Sequence, residues 1–392
     1  MMSRKMKTVP ALFAALTLSA CGTAGPLPLP DTDSGPDPQE AVFETAVFYY
    51  DYSDAYVSSI RTELARMLNE EEISFREYDG NSSQTTQTSQ IEEAILNGAD
   101  LLIINVVNAG STYTADELAL LAARADVPAV FFNRCPEADG DEGLVLGYYD
   151  NIAFVGTDPK EAGHLQGEMI GNYLLQHYDS VDLNGDGVIS YALFKGEAAN
   201  TEAIYRTRYA VEDADAILTE AGYPALSYFD PSGVDKYQLD MTGRWSAAAA
   251  QSYMAANLTS MSPDKGNMIE LIISNNDDMA DGAIRALNTF GMNLGTEDSL
   301  TIPVFGVDAT VTARQLIREG KMTGTVRQDP EELAASILRI VENVRDNKEL
   351  LDGLDDLRRD EEHGLTNKIY LPYSLYTPDP EHSVSENTLP AS

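Results

Sequence analysis

Asp182-Leu-Asn-Gly-Asp-Gly-Val-Ile-Ser190 begins as a calcium-binding loop and does not finish as one. Asp182, Asn184 and Asp186 occupy loop positions one, three and five, Gly187 supplies the sharp turn at six, and Val188 offers a backbone carbonyl at seven. Position twelve, where such loops carry a bidentate glutamate, is Leu193. The match is either accidental or belongs to a metal site that takes its last carboxylate from elsewhere in the chain.

On both sides of this loop short β-branched or aromatic runs alternate with longer amphipathic segments, the signature of βαβ units and parallel sheets. Strands are expected at Thr45–Tyr50, Ile73–Asp79, Leu101–Val106, Val127–Phe132, Ile152–Val155, Val188–Phe194, Met268–Ser274, Ile302–Val307 and Met322–Val326. Helical spacing covers Tyr56–Glu70, Ser89–Asn97, Ala115–Ala125, Lys160–Tyr178, Thr201–Ala221, Ser246–Leu258, Met279–Phe290, Val311–Glu319 and Pro330–Asn347. A chain of 392 residues exceeds what one hydrophobic core supports, so two α/β domains, each an open doubly wound sheet, are expected.

Ligands of such sheets gather beyond the carboxyl ends of the strands. There the chain places Asp51, Asp54 and Tyr56, then Asn105 and Asn108, then Asn133 and Arg134; the second half adds Gly196, Glu197, Asn275 to Asp278, and Asp308. Amides, carboxylates and aromatics predominate, which suits a ligand presenting many hydroxyls and a flat C–H surface. Trp245, the only tryptophan, is either a core residue or a stacking platform. By default Asp54 is a helix N-cap and Arg206 a surface residue.

Other chemistries find little support. No phosphate-cradling glycine motif follows a strand, and no His-Glu-x-x-His zinc motif occurs. His164, His177, His363 and His382 lie in helical or tail segments, away from any serine or cysteine nucleophile motif, so no enzyme is expected. The 63 acidic residues outweigh 26 basic ones, for a net charge of −37, which would repel nucleic acid.

Residues 1–20 combine Arg4, Lys5 and Lys7 with an apolar run from Val9 to Leu18, the pattern of a secretory signal peptide. Leu18-Ser-Ala-Cys21 resembles a bacterial lipobox, which implies lipidation of Cys21 and a membrane contact through the lipid alone. Residues 22–44 read as a flexible tether. Only Cys135 then remains, so no intramolecular disulfide is expected in the exported chain.

Several segments together resemble the periplasmic galactose/glucose-binding proteins of bacterial ABC transport. They are Ala46 to Arg61, Val127-Pro-Ala-Val-Phe-Phe-Asn133, Val155-Gly-Thr-Asp158, Asp182 to Gly187, Lys195-Gly-Glu197, Ile272 to Asp277, Ile302 to Ala309 and Gly324-Thr-Val326. The resemblance implies a type I periplasmic binding protein fold. Its N-terminal domain would comprise residues 45–157 and 328–370, and its C-terminal domain 158–327 and 371–392. A three-segment hinge, crossing near Thr157, Gln328 and Tyr370, would join them.

The resemblance also implies a structural calcium ion held by Asp182, Asn184, Asp186, the Val188 carbonyl, Ser190 and the distant Glu270. Ser190 stands where the family has a side-chain amide. The implied sugar contacts are Asp54, Tyr56, Asn133, Asn200, Glu202, Arg206, Trp245, Asn276, Asp308 and Gln328. Asp54, Asn133 and Gln328 would lie on one side of the cleft, and Arg206, Trp245, Asn276 and Asp308 on the other. Tyr56, Asn200, Glu202 and Gln328 depart from the family's phenylalanine, histidine, aspartate and asparagine, which leaves the identity of the hexose open. The implied protein is a monomer that carries a hexose to an ABC permease. The alternatives are a sensor presenting sugar to a chemoreceptor or sensor kinase, and an exported glycoside hydrolase.

Overall fold

Along β1 (Glu44–Tyr49), Val47 and Tyr49 enter one apolar cluster while Ala46 and Phe48 enter another. That alternation follows from the period-two geometry of a strand, and a sheet apolar on both faces needs helices on both. The computed structural model describes residues 42–261 and 267–378. The expected signal segment, Cys21, all but the end of the tether, His382 and the chain beyond Pro378 lie outside the described residues.

β1 is followed by α1 (Ala55–Glu70), β2 (Ser74–Asp79), α2 (Gln84–Leu96), β3 (Leu101–Ile104), α3 (Thr112–Ala125), β4 (Ala129–Phe132) and β5 (Ile152–Thr157). Next come α4 (Pro159–Val181), β6 (Ser190–Lys195), α5 (Thr201–Glu220), β7 (Ser227–Tyr228), β8 (Gln238–Leu239), α6 (Ala247–Leu258) and β9 (Leu271–Ser274). The described residues close with α7 (Asp277–Thr289), β10 (Val304–Asp308), α8 (Val311–Arg318), β11 (Gly324–Arg327), α9 (Pro330–Arg345), β12 (Arg358–Asp360), β13 (Leu365–Leu371) and β14 (Ser374–Tyr376).

Two sheets result. The first has the order β12-β13-β5-β4-β3-β1-β2, and the second β14-β11-β10-β9-β6-β7 with β8 also on β6. Pairing is parallel except at β12–β13 and β11–β14. The chain passes between the sheets after Thr157, after Arg327, and between Leu371 and Ser374. Each sheet has its own pair of apolar layers, as in β6, where Tyr191 and Leu193 face one way and Ala192 and Phe194 the other. Fully buried Phe48, Phe131, Phe154, Phe194 and Phe305 anchor these layers, each contributing roughly 1.5–3 kcal/mol of burial.

All nine expected strands and nine expected helices are present, with shifted ends. α2 starts at Gln84, five residues earlier than expected, because Ser83 caps it and its first turn is polar. β6 starts at Ser190 because Val188 still belongs to the preceding loop. Five strands were not expected. β7 and β8 are two residues long, β12 is Arg-Arg-Asp, β14 is three residues long after Pro372-Tyr373, and in β13 the apolar run is confined to Ile369-Tyr-Leu371, behind Thr366-Asn-Lys368.

Candidate functional site

Three helices begin at strand ends with capping residues that also face a common cavity. Asp54 caps α1, its Oδ1 accepting from the Val57 amide at 2.8 Å while Oδ2 accepts from the Tyr50 hydroxyl at 2.5 Å. Asn200 caps α5 through the Ala203 amide at 3.1 Å, and Asn276 caps α7 through Met279 at 3.0 Å. A cap uses one lone pair of the side chain; further lone pairs on the Asp54 oxygens, and the second Nδ2 hydrogen of Asn276, whose first goes to the Trp245 carbonyl, are left to meet a ligand. Cap and contact are thus compatible roles at Asp54.

The cavity is lined by Tyr50, Asp54, Tyr56, Val57, Asn133, Arg134, Asn200, Glu202, Arg206, Trp245, Asn276, Asp308 and Gln328. All ten residues singled out from the sequence converge on it. Arg206 is buried rather than at the surface: its Nη1 donates to the Asn275 carbonyl at 2.9 Å, its Nη2 to the Tyr373 hydroxyl at 3.2 Å, and Asp308 lies 3.9 Å away. Burial works against its charge, but Tyr373, Asp308 and Glu202 outweigh that and hold the guanidinium protonated. The Asp308 carboxyl is pushed well up by burial, with Arg206 partly opposing. Glu202 is likewise raised by burial, against the pull of Arg206 and Arg134.

Trp245 is 5% exposed with its ring in this cavity, and its backbone takes the left-handed conformation, φ 56°. Gly196 makes room for that ring: a Cβ there would stand 2.0 Å from Trp245 Cδ2. Asn133 also adopts φ 60°, which turns its side chain at the end of β4 to accept from Asn105 Nδ2 at 3.1 Å. Gln328 sits at a crossing rather than wholly on the first side: its Nε2 donates to Asp308 at 2.7 Å, and its Oε1 accepts from Thr157 at 3.3 Å.

The sequence reading left out Tyr50 and Val57, and it listed Arg134 at a strand end without assigning it to the site. Strand-end position was the available signal for Tyr50 and Arg134, whereas Val57 lies in the first turn of α1, next to Tyr56. Cys135 is a buried free thiol whose pKa burial pushes up to about 12, so it stays protonated. His164 pairs with Asp213 at 2.6 Å and His363 with Asp360 at 2.9 Å, both away from this cavity.

The loop from Asp182 to Ser190 meets Glu270. Glu270 Oε1 accepts from the Leu183 and Asn184 amides at 2.8 and 3.2 Å, and Oε2 from the Ser190 amide at 2.9 Å. Asp182 accepts from Gly185, Asp186 and Gly187, and Asp186 from Val188. Gly185 and Gly187 take φ 72° and 81°, the turns their lack of a side chain permits. The Ser190 hydroxyl donates to the Met268 carbonyl. Three carboxylates and an amide oxygen around one loop are hard donors of the type calcium takes. Among the described residues no cluster of three His, Cys, Asp or Glu groups able to hold an ion is present, so any ion would also need backbone oxygens or water.

Residues 45–349 match the model of the periplasmic binding protein domain. The chain belongs to the periplasmic binding protein family. Within it, this chain is 33% identical over 312 residues to the D-galactose/methyl-galactoside binding periplasmic protein of Haemophilus influenzae, covering 78% of this chain and 83% of that one. A putative rhizopine-binding protein of Rhizobium meliloti is 28% identical, over 74% and 75% of the two chains. Among solved structures, an ABC transporter solute binding protein from Clostridium phytofermentans with bound β-D-glucose superposes with a TM-score of 0.65 at 18% identity. The match covers 85% of this chain and 94% of that one. One from Bacillus halodurans with myo-inositol gives 0.63 at 22%, covering 87% and 96%.

Membership of this family makes the molecule a binding protein rather than an enzyme, and the two-sheet α/β architecture is the family's. No helix among the described residues is long and apolar enough to cross a membrane.

Proposed function

We propose that this is an exported sugar-binding protein that takes a monosaccharide into the cavity between its two lobes and delivers it to an ABC importer. One observation carries the reading. Asn200 Nδ2, Glu202 Oε2, Arg206 Nε and Trp245 Nε1 are buried without a hydrogen-bond partner, and all four residues line the same cavity. Each such group costs roughly 1–3 kcal/mol while unpaired. Three donors and one acceptor, beside Asp54, Asn133 and Asp308, are met by a ring of hydroxyls, each of which can both give and accept.

Within that reading we favour a hexose of the galactose/glucose type, in keeping with the D-galactose and methyl-galactoside named for the Haemophilus relative. The lobes would close over the sugar by a hinge at the three crossings, with contacts from both sides favouring the closed form. Calcium would be held by Asp182, Asn184, Asp186, the Val188 carbonyl and Glu270, bracing the second lobe, with Ser190 as a further oxygen. Lipidation of Cys21 would tether the protein to the membrane.

A calorimetric panel of hexoses, pentoses and inositol on the exported chain tests the proposal. Stoichiometric, saturable binding of a monosaccharide without turnover is expected, with galactose or glucose tightest. If no member of the panel bound, the sugar reading would be lost. A pentose or inositol optimum would remove only the hexose assignment.

A further inference from the structure

Arg134 lies just beyond β4 in the first lobe, buried to 5% exposure. Its Nε and Nη2 donate to the Val106 and Val107 carbonyls at 2.8 and 2.9 Å, fixing it to the loop after β3. The guanidinium sits 4.1 Å from the centroid of the Tyr50 ring. Tyr50 in turn donates its hydroxyl to Asp54. From the other side of the cleft Glu197, at the end of β6, accepts from Arg134 Nη2 at 2.7 Å.

We propose that Arg134 is a positioning residue that couples closure of the cleft to the orientation of Asp54, with Glu197 as its partner across the cleft. This rests on the reading of the cavity as the sugar site.

The physical case has three parts. The guanidinium carbon lies over the Tyr50 ring, so the Tyr50 hydroxyl, and with it Asp54 Oδ2, is aimed by a group that also reaches the second lobe. The cross-cleft bond joins two charges with the guanidinium out of solvent, where such bonds are strongest. It can exist only when the lobes are together, because Arg134 and Glu197 belong to different sheets. A bond present only in the closed state lowers the rate of opening and leaves encounter with the sugar almost untouched. Glu202 adds a second tie of the same kind, its Oε1 accepting from the Cys135 amide at 3.3 Å across the same cleft.

The test is stopped-flow binding of the tightest sugar from the panel, followed by the emission of Trp245, the only tryptophan and a wall of the cavity. Glu197→Gln keeps the shape and removes the charge from the lobe opposite Arg134. It should raise the dissociation rate about tenfold, with the association rate within twofold and the melting temperature of the sugar-free protein unchanged. Arg134→Lys should act in the same direction, and the double variant should be no worse than the poorer single one. Additive losses, or a dissociation rate for Glu197→Gln within twofold of the parent, would overturn the coupling while leaving the sugar site standing. If the parent protein bound no sugar, both readings would fall together.

Discussion

Substituting Gly196 by alanine adds one methyl group directly under the Trp245 ring. An ideal Cβ at Gly196 would lie 2.0 Å from Trp245 Cδ2, 2.2 Å from Cε3 and 2.6 Å from Cε2, whereas real Cβ contacts essentially never fall under 3.0 Å. The ring must therefore retreat by at least 3.0 − 2.0 = 1.0 Å. Gly196 itself does not occupy the left-handed region, so the substitution introduces a clash and no backbone strain. The Trp245 main chain has little room to follow, because its carbonyl accepts from Asn276 Nδ2 at 3.3 Å and the next residue, Ser246, is bonded to Asp240 at 2.9 Å.

The ring is then left to swing into the cavity. Overpacking of this kind costs about 1–3 kcal/mol, and a platform displaced by an ångström no longer lies flat against a sugar. A tenfold to hundredfold weaker Kd follows at about 1.4 kcal/mol per decade. Calorimetry with the tightest sugar measures the affinity, and the emission maximum of the single tryptophan shows whether the ring has moved. A Kd within twofold of the parent together with an unshifted emission spectrum would refute the assignment of Trp245 as a wall set by Gly196.

Two further outcomes are expected. The Asp278 carboxyl is raised from the ordinary 3.8 to about 6, chiefly by burial and then by Asp54 across the cleft. The folded protein therefore holds a proton that the unfolded chain would release. The stability that proton brings is fully present below about pH 4 and is lost as the pH rises through 6, a difference of about 3 kcal/mol at most. Asp278→Asn should thus melt higher than the parent at pH 7 and level with it near pH 4. Equal melting temperatures at both pH values would contradict that. For the loop at Asp182, a calcium chelator should lower the melting temperature and leave sugar affinity nearly unchanged; identical melting curves with and without chelator would remove the metal.

Much of the fold was legible because its signals are local. A β-branched run, a capping Asp or Asn and the alternation of Val47, Phe48 and Tyr49 report their own conformation within a few residues. The strand-end rule then located Asp54, Asn133, Asn276 and Asp308 without knowledge of any contact. β12 and β14 escaped because they are short edge strands, which need no continuous apolar run of their own. Arg206 illustrates the opposite limit, since a lone arginine inside a helix carries no mark of burial until the Asn275 carbonyl, the Tyr373 hydroxyl and Asp308 are brought round it.

The sequence by itself determined the two α/β halves, the residues that end their strands, and a calcium-type loop lacking its last carboxylate. Only the tertiary structure decided that Glu270 meets that loop, that Asn200, Glu202, Arg206 and Trp245 leave unpaired polar atoms in one cavity, and that Arg134 reaches Glu197 across the cleft. The physical reason is distance along the chain. Caps and strand ends are settled by neighbouring residues, whereas Arg134 and Glu197 are 63 positions apart and meet only when the two sheets come together, and Leu183 and Glu270 are 87 apart and meet only through the pairing of β6 with β9.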